Sequence, residues 1–366
     1  MSALAGLIAR QIAAEGPMRL SDYMALCLLH PEHGYYATRD PFGAAGDFTT
    51  APEISQMFGE MLGLCLAQVW VDQGRPARFV LAEIGPGRGT LMADVCRVIA
   101  RVPGMQEAAE LHLIEASAHL RGVQQATLAA HRVTWHDSIH DLPEGPLFLL
   151  ANEFFDALPI RQFHRSAEGW AERQVGLRDG QLALGLTPPA PLALLAHRLA
   201  DTRPGEIVEI CPQAPEIAAG IATRIARHGG VAIFVDYGGW ISRGDTFQAL
   251  HRHQIVDPLA EPGCADLTAH VDFEPLARAA RLAGAATSGL TPQGVLLERL
   301  GITARAQALA DKLQGEALES HIAAHRRLTH PAEMGNLFQT LALFPREMPP
   351  PPGFDPAPAT TDHPDR

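Results

Sequence analysis

Leu81-Ala82-Glu83-Ile84-Gly85-Pro86-Gly87-Arg88-Gly89-Thr90 decides the fold. An apolar run ends at a turn with glycine at every second position, then passes into a helical stretch. A strand that feeds such a turn and then a helix opens an α/β sheet, and ligands of these sheets bind beyond the carboxyl ends of the strands. The glycines let the backbone adopt turn dihedrals closed to other residues and come close to a ligand.

The same alternation continues downstream. Residues 79–84, 111–115, 133–136, 146–151 and 230–236 read as strands, with helices over 89–100 and 117–130. Short apolar strands between helices predict a mostly parallel sheet with helices on both faces. Upstream, residues 1–76 read as a helical segment: Leu4, Leu7, Ile8 and Ile12 have helical spacing, 20–29 forms a second helix, and a third runs from Pro52 or Glu53 to about Asp72. The ligand-binding core is then 77–156 plus 229–345, and 157–228 is an α+β insertion after the fourth strand. After the fifth strand come a loop at 239–272, a helix at 273–282, a strand near 285–290, helices at 292–329 and a last strand at 337–344. The tail, 346–366, is proline-rich from Pro349 and expected to be disordered.

The bulk numbers narrow the function classes. A net charge of −12 and a pI near 5.8 argue against a general nucleic-acid binder. Lys312 is the one lysine among 29 basic residues, which points to coding bias and a bacterial source. Cys27, Cys65, Cys96, Cys211 and Cys264 are scattered without a CxxC pair, so neither a zinc site nor a disulfide framework is expected. No segment reaches the ~18 apolar residues of a membrane span, and the N-terminus carries no signal-peptide pattern; a cytoplasmic protein is expected.

The acids around the glycine turn indicate the ligand. A nicotinamide dinucleotide calls for G-x-G-x-x-G beneath its pyrophosphate. The spacing here is shorter, and Glu83 precedes it. S-adenosyl-L-methionine has no phosphate; its cationic sulfonium and amino group favour a carboxylate and backbone carbonyls. Its ribose hydroxyls suit an acid at the tip of the second strand, Glu115, and its adenine amino group suits one at the third, Asp137. The expected cofactor contacts are Glu83, Gly85, Pro86, Gly87, Gly89, Thr90, Glu115, Asp137 and Asn152.

The fourth strand ends in Asn152-Glu153-Phe154-Phe155-Asp156. A guanidinium is a delocalised cation and a poor nucleophile. Carboxylates that hold it through charge-assisted bonds orient it and localise electron density on one nitrogen. Glu153 and Asp156 are the candidate catalytic pair; the plain alternative is two acids capping the next helix. Gly46-Asp47-Phe48-Thr49-Thr50-Ala51-Pro52-Glu53-Ile54 reads equally as helix-start chemistry or as a lid over the cofactor. His251, His253, Asp257, Asp266, His270 and Asp272 crowd one loop, where substrate contacts or a structural network are expected and no metal site is assigned.

These motifs, with Asn152-Glu153-Phe154-Phe155-Asp156-Ala157-Leu158-Pro159, Val235-Asp236-Tyr237-Gly238 and Asp266-Leu267-Thr268-Ala269-His270-Val271-Asp272-Phe273, resemble in order those of the MidA-like family, over roughly residues 1–345. That family includes the mitochondrial complex I assembly methyltransferase. The resemblance implies a class I S-adenosyl-L-methionine-dependent methyltransferase with a Rossmann-like sheet. It implies a protein substrate, methylated on arginine, which for the mitochondrial members is a respiratory complex I subunit. Gly85, Gly87 and Gly89 would form its cofactor turn. A homodimer is compatible with it. The competing readings are a non-catalytic assembly factor with a vestigial cofactor site and a methyltransferase for a small molecule.

Overall fold

The computed structural model describes residues 2–38 and 49–358. Part of the proposed lid, Gly46-Asp47-Phe48, lies outside them. The core sheet contains β1 (Phe79–Ile84), β2 (Ala109–Ile114), β3 (Val133–His136), β4 (Leu147–Asn152), β9 (Gly230–Gly239) and β13 (Phe338–Phe344), in the order β3-β2-β1-β4-β9-β13, with Ala286–Thr287 at the far edge. The first five strands are mutually parallel, and β13 runs antiparallel to β9. Every residue of β1 and of β4 is buried, as a strand covered on both faces requires.

One face is covered by α3 (Gln56–Asp72) and α4 (Thr90–Ile99), the other by α6 (Gln213–His228) and α7 (Phe273–Leu282). The α3–α4 contact depends on the absence of a side chain: a Cβ on Gly59 would lie 2.5 Å from Asp94 Cβ. Strand order reverses between β1 and β4, and that switch point opens a crevice at the strand ends.

The expected third helix is interrupted. A short turn, Ala51–Ile54, stops at Ser55, whose extended backbone (φ −162°) lets its Oγ accept from Met57 N at 3.2 Å and cap α3. Within 157–228, β5 (Arg161–Ser166), β6 (Gly169–Arg178), β7 (Gln181–Leu186) and β8 (Ile207–Ile210) form a second sheet. Met18–Arg19, from the amino-terminal segment, pairs with β6.

Two expectations are corrected. The loop at 239–272 contains a three-stranded sheet of β10 (Gln248–His251), β11 (Gln254–Val256) and β12 (Asp266–Thr268). Residues 349–358 of the proline-rich tail are packed rather than disordered. Phe354 is buried, and Arg299 Nη1 reaches Asp355 Oδ2 at 2.9 Å and Gly353 O at 3.0 Å. Proline stiffness and one aromatic anchor offset the ordering cost there.

Candidate functional site

The glycine turn is shaped by backbone conformation. Gly85, Gly87 and Gly89 have φ of 65°, 53° and 80°, in the region that penalises a Cβ. Gly89 N donates to Pro86 O at 2.7 Å, and Gln124 Nε2 donates to Gly87 O at 2.8 Å, so the turn is held from inside and from the neighbouring helix.

A cavity of about 970 Å³ lies over this turn. It is lined by Glu83, Gly85, Pro86, Gly87, Thr90, Glu115, Asp137, Asn152, Glu153 and Asp156. Ten of the eleven residues singled out from the sequence therefore meet at one place. The exception, Gly89, starts α4 beneath the turn. Residues as far as 73 positions apart in the chain converge because β1 and β4 are neighbours in the sheet.

The acids occupy distinct environments. Glu83 is buried, and its Oε2 has no hydrogen-bond partner; loss of water pushes its carboxyl well above the usual range, against the amide of Met92. Asn152 Oδ1 is likewise buried without a partner. Two orphaned oxygens beside a glycine turn suit a ligand that presents hydrogen-bond donors and positive charge, as the amino-acid end of S-adenosyl-L-methionine does.

Glu115 is buried, accepts from Ser117 N at 2.7 Å and Gln124 Nε2 at 3.1 Å, and is pushed up by burial. Asp137 differs from its neighbours: it is exposed on the rim and paired with Arg121. Arg121 also donates from Nε to Glu115 O at 2.8 Å, so one guanidinium ties the tips of β2 and β3 together.

The turn after β4 carries strain. Glu153 has φ of 51°, a conformation non-glycine residues rarely adopt. The fully buried Asp236, at the end of β9, holds it in place. Its Oδ2 accepts from the amides of Phe154 (3.2 Å), Phe155 (2.9 Å) and Asp156 (3.3 Å), and its Oδ1 accepts from Tyr237 N at 3.0 Å. Glu153 Oε1 accepts from Ala51 N and Asn152 Nδ2, both at 3.2 Å. Burial first, and then the neighbouring Asp156 charge, raise Glu153 to about 8; burial raises Asp156 to about 6.

Further residues join the cofactor candidates and the acid pair in the cavity wall. Tyr36 donates its hydroxyl to Asp266 Oδ1 at 2.8 Å, while its carbonyl accepts from Ser117 Oγ at 2.7 Å. Thr90 Oγ1 donates to Glu53 Oε1 at 2.5 Å, and Arg88 lies 3.6 Å from Glu53 Oε2. Glu53 thus fastens the amino-terminal segment to the glycine turn, in addition to its place in a first helical turn. Tyr237, Thr268 and His270 form another wall. The 251–272 acids and histidines are dispersed. Asp266 and His270 line the cavity, Asp272 accepts from Ser242 N at 2.8 Å, and Asp257 Oδ1 accepts from Leu259 N at 2.9 Å. Among the described residues, no group of three or more His, Cys, Asp or Glu is arranged to hold a metal ion. No helix among them is long and apolar enough to cross a membrane.

Known proteins match this geometry. Residues 61–291 match the model of a family described as S-adenosyl-L-methionine-dependent methyltransferases. Mouse "Protein arginine methyltransferase NDUFAF7, mitochondrial" is 36% identical over 365 residues, spanning 92% of this chain and 83% of that protein. The human protein of the same name is 35% identical over 365 residues, spanning 92% and 82%. A crystal structure from Burkholderia thailandensis, bound to S-adenosyl-homocysteine, superposes with a TM-score of 0.81 at 30% identity, covering 97% of this chain and 93% of that one. The relatives' mitochondrial names overturn the cytoplasmic expectation.

Proposed function

This chain belongs to the family of S-adenosyl-L-methionine-dependent methyltransferases, and from that premise we propose that its acceptor is an arginine of a protein, with a respiratory complex I subunit as the candidate substrate. The enzyme class and the cofactor follow from the family. The observation that carries the acceptor is the pair Glu153 and Asp156, held on one strained turn inside the cavity that the glycine turn also lines. The mouse and human relatives, named as protein arginine methyltransferases, support the same acceptor.

The bound cofactor supplies a methyl carbon on a cationic sulfonium, open to direct displacement. In this reading Glu83 Oε2 and Asn152 Oδ1 accept from its amino end. Residues 85–89 approach it through backbone, and Thr90 follows at the start of α4. Glu115 receives the ribose hydroxyls, and Asp137 borders the adenine end from the rim. Glu153 and Asp156 grip the guanidinium through charge-assisted bonds and turn one nitrogen toward the methyl group. Phe154 and Phe338 exclude water from the cavity wall.

Mass spectrometry after incubation with labelled cofactor and a lysate lacking the protein should place label on protein arginine; label on a small molecule instead would overturn the acceptor. Glu153→Gln should keep cofactor affinity within about twofold in calorimetry while lowering turnover by roughly 10²-fold. Unchanged turnover would reject Glu153 as part of the clamp.

A further inference from the structure

Tyr237 follows Asp236 at the end of β9 and takes no part in the clamp described above. Its amide is pinned by Asp236 Oδ1 at 3.0 Å. Its ring packs edge-on against Phe338 and His270, with centroids 5.5 Å away in each case. The ring therefore has a fixed position, and its hydroxyl meets the side chains of Asp156 and Thr268.

Asp156 is fixed from its own backbone as well. Its amide donates to Asp236 Oδ2 and its carbonyl accepts from Ala269 N at 3.0 Å. The Asp156 Oδ1 atom is buried and without a partner in the wall of the cavity. The titratable groups around it are Glu153 on the same turn, Asp236 and Tyr237 on β9, Asp266 on β12, His270 beyond it, and Tyr36 from the amino-terminal segment.

Methylation of a guanidinium has a proton to dispose of. The nitrogen forms a bond to the methyl carbon, the carbon–sulfur bond breaks with its electron pair going to sulfur, and the nitrogen's N–H proton must leave. We propose that Asp156 Oδ1 accepts this proton and that Tyr237 is the positioning residue that keeps Asp156 ionised and aimed for it. This inference rests on the arginine reading.

The two acids of the clamp divide the work. Burial raises both carboxyls, and Glu153, pushed further by the neighbouring Asp156 charge, holds its proton the more tightly, which leaves Asp156 the better placed to be the base. The Tyr237 hydroxyl beside the carboxyl favours the charged form of Asp156, so removing it raises the carboxyl further.

The test is the pH dependence of kcat on an arginine peptide at saturating cofactor. The wild-type acid limb should lie at or below pH 6, because the bound cation draws the carboxyl down. Tyr237→Phe keeps the ring packing and should move that limb up by roughly one pH unit, with peptide KM changed by less than about twofold. An unmoved limb overturns the role of Tyr237. Absence of arginine turnover in the wild-type enzyme overturns the acceptor reading instead. The Asp156 carboxyl can then be titrated directly, by carbon-13 NMR of aspartate-labelled protein bound to S-adenosyl-homocysteine. An upward shift in Tyr237→Phe supports the positioning role, and no shift rejects it.

Discussion

Gly85 must satisfy two demands at once. Its φ is 65°, and a Cβ there would come within 2.9 Å of Phe154 Cδ2. The ring that meets it belongs to the turn carrying Glu153 and Asp156, so the cofactor turn and the acceptor turn touch at a glycine. Gly85→Ala should cost roughly 1–3 kcal/mol in chemical denaturation and weaken cofactor binding about tenfold or more in calorimetry. Wild-type values for both would show that the contact is slack. The glycine requirement was readable from the 85-x-87-x-89 spacing. Its partner was not, because Phe154 lies 69 positions away and nothing local to either residue announces the contact.

At the scale of elements, the strand tips concentrate acid. Glu83 is the penultimate residue of β1, Glu115 follows β2, Glu153 and Asp156 follow β4, and Asp236 lies near the end of β9. Their order along the chain was legible because each follows a short apolar run. Their protonation was not, since it depends on burial and on carboxylates brought near from other strands. Glu153 and Asp156 bind protons more tightly folded than unfolded, where a glutamate ordinarily titrates near 4.5 and an aspartate near 3.8. The stability this confers is complete below those values. It is lost as pH rises through about 6 for Asp156 and about 8 for Glu153. The melting temperature of the cofactor-free protein should fall between pH 5 and pH 8, and Glu153→Gln should flatten the upper part of that fall. A Glu153→Gln profile parallel to the wild type would contradict the raised Glu153 carboxyl.

Across the whole molecule, the insertion both lines the cavity, through Leu158, Pro159, Gln213 and Ile217, and braces it from behind. Buried Glu209, on β8, accepts from Thr246 N at 3.0 Å and Phe247 N at 3.2 Å, and also from the Thr246 hydroxyl and Gln162. Thr246 Oγ1 in turn accepts from His270 N at 2.8 Å, and His270 lines the cavity. Glu209→Ala should therefore raise the KM of the acceptor severalfold while leaving cofactor affinity unchanged, and steady-state kinetics with calorimetry separates the two. An effect on cofactor affinity alone would place the insertion's influence at the wrong end of the cavity. A tighter general effect is expected on cofactor binding. Hydrogen exchange should slow together in residues 51–58, 85–92 and 153–156, because Ala51 N meets Glu153 and Glu53 meets Thr90.

By itself the sequence determined the sheet class, the position of the glycine turn and the chain order of the acids. Those follow from local periodicity and from turn chemistry, which need no distant partner. Only the tertiary structure decided that Asp236 holds the turn of Glu153 and that Asp156 Oδ1 is buried without a partner. It also decided that Tyr36 and His270 wall the same cavity, that Asp137 stands on the rim with Arg121, and that residues 349–358 pack back onto α8 (Gln293–Arg299). Those contacts join segments up to 230 positions apart, and burial and charge at such junctions exist only once the strands have paired.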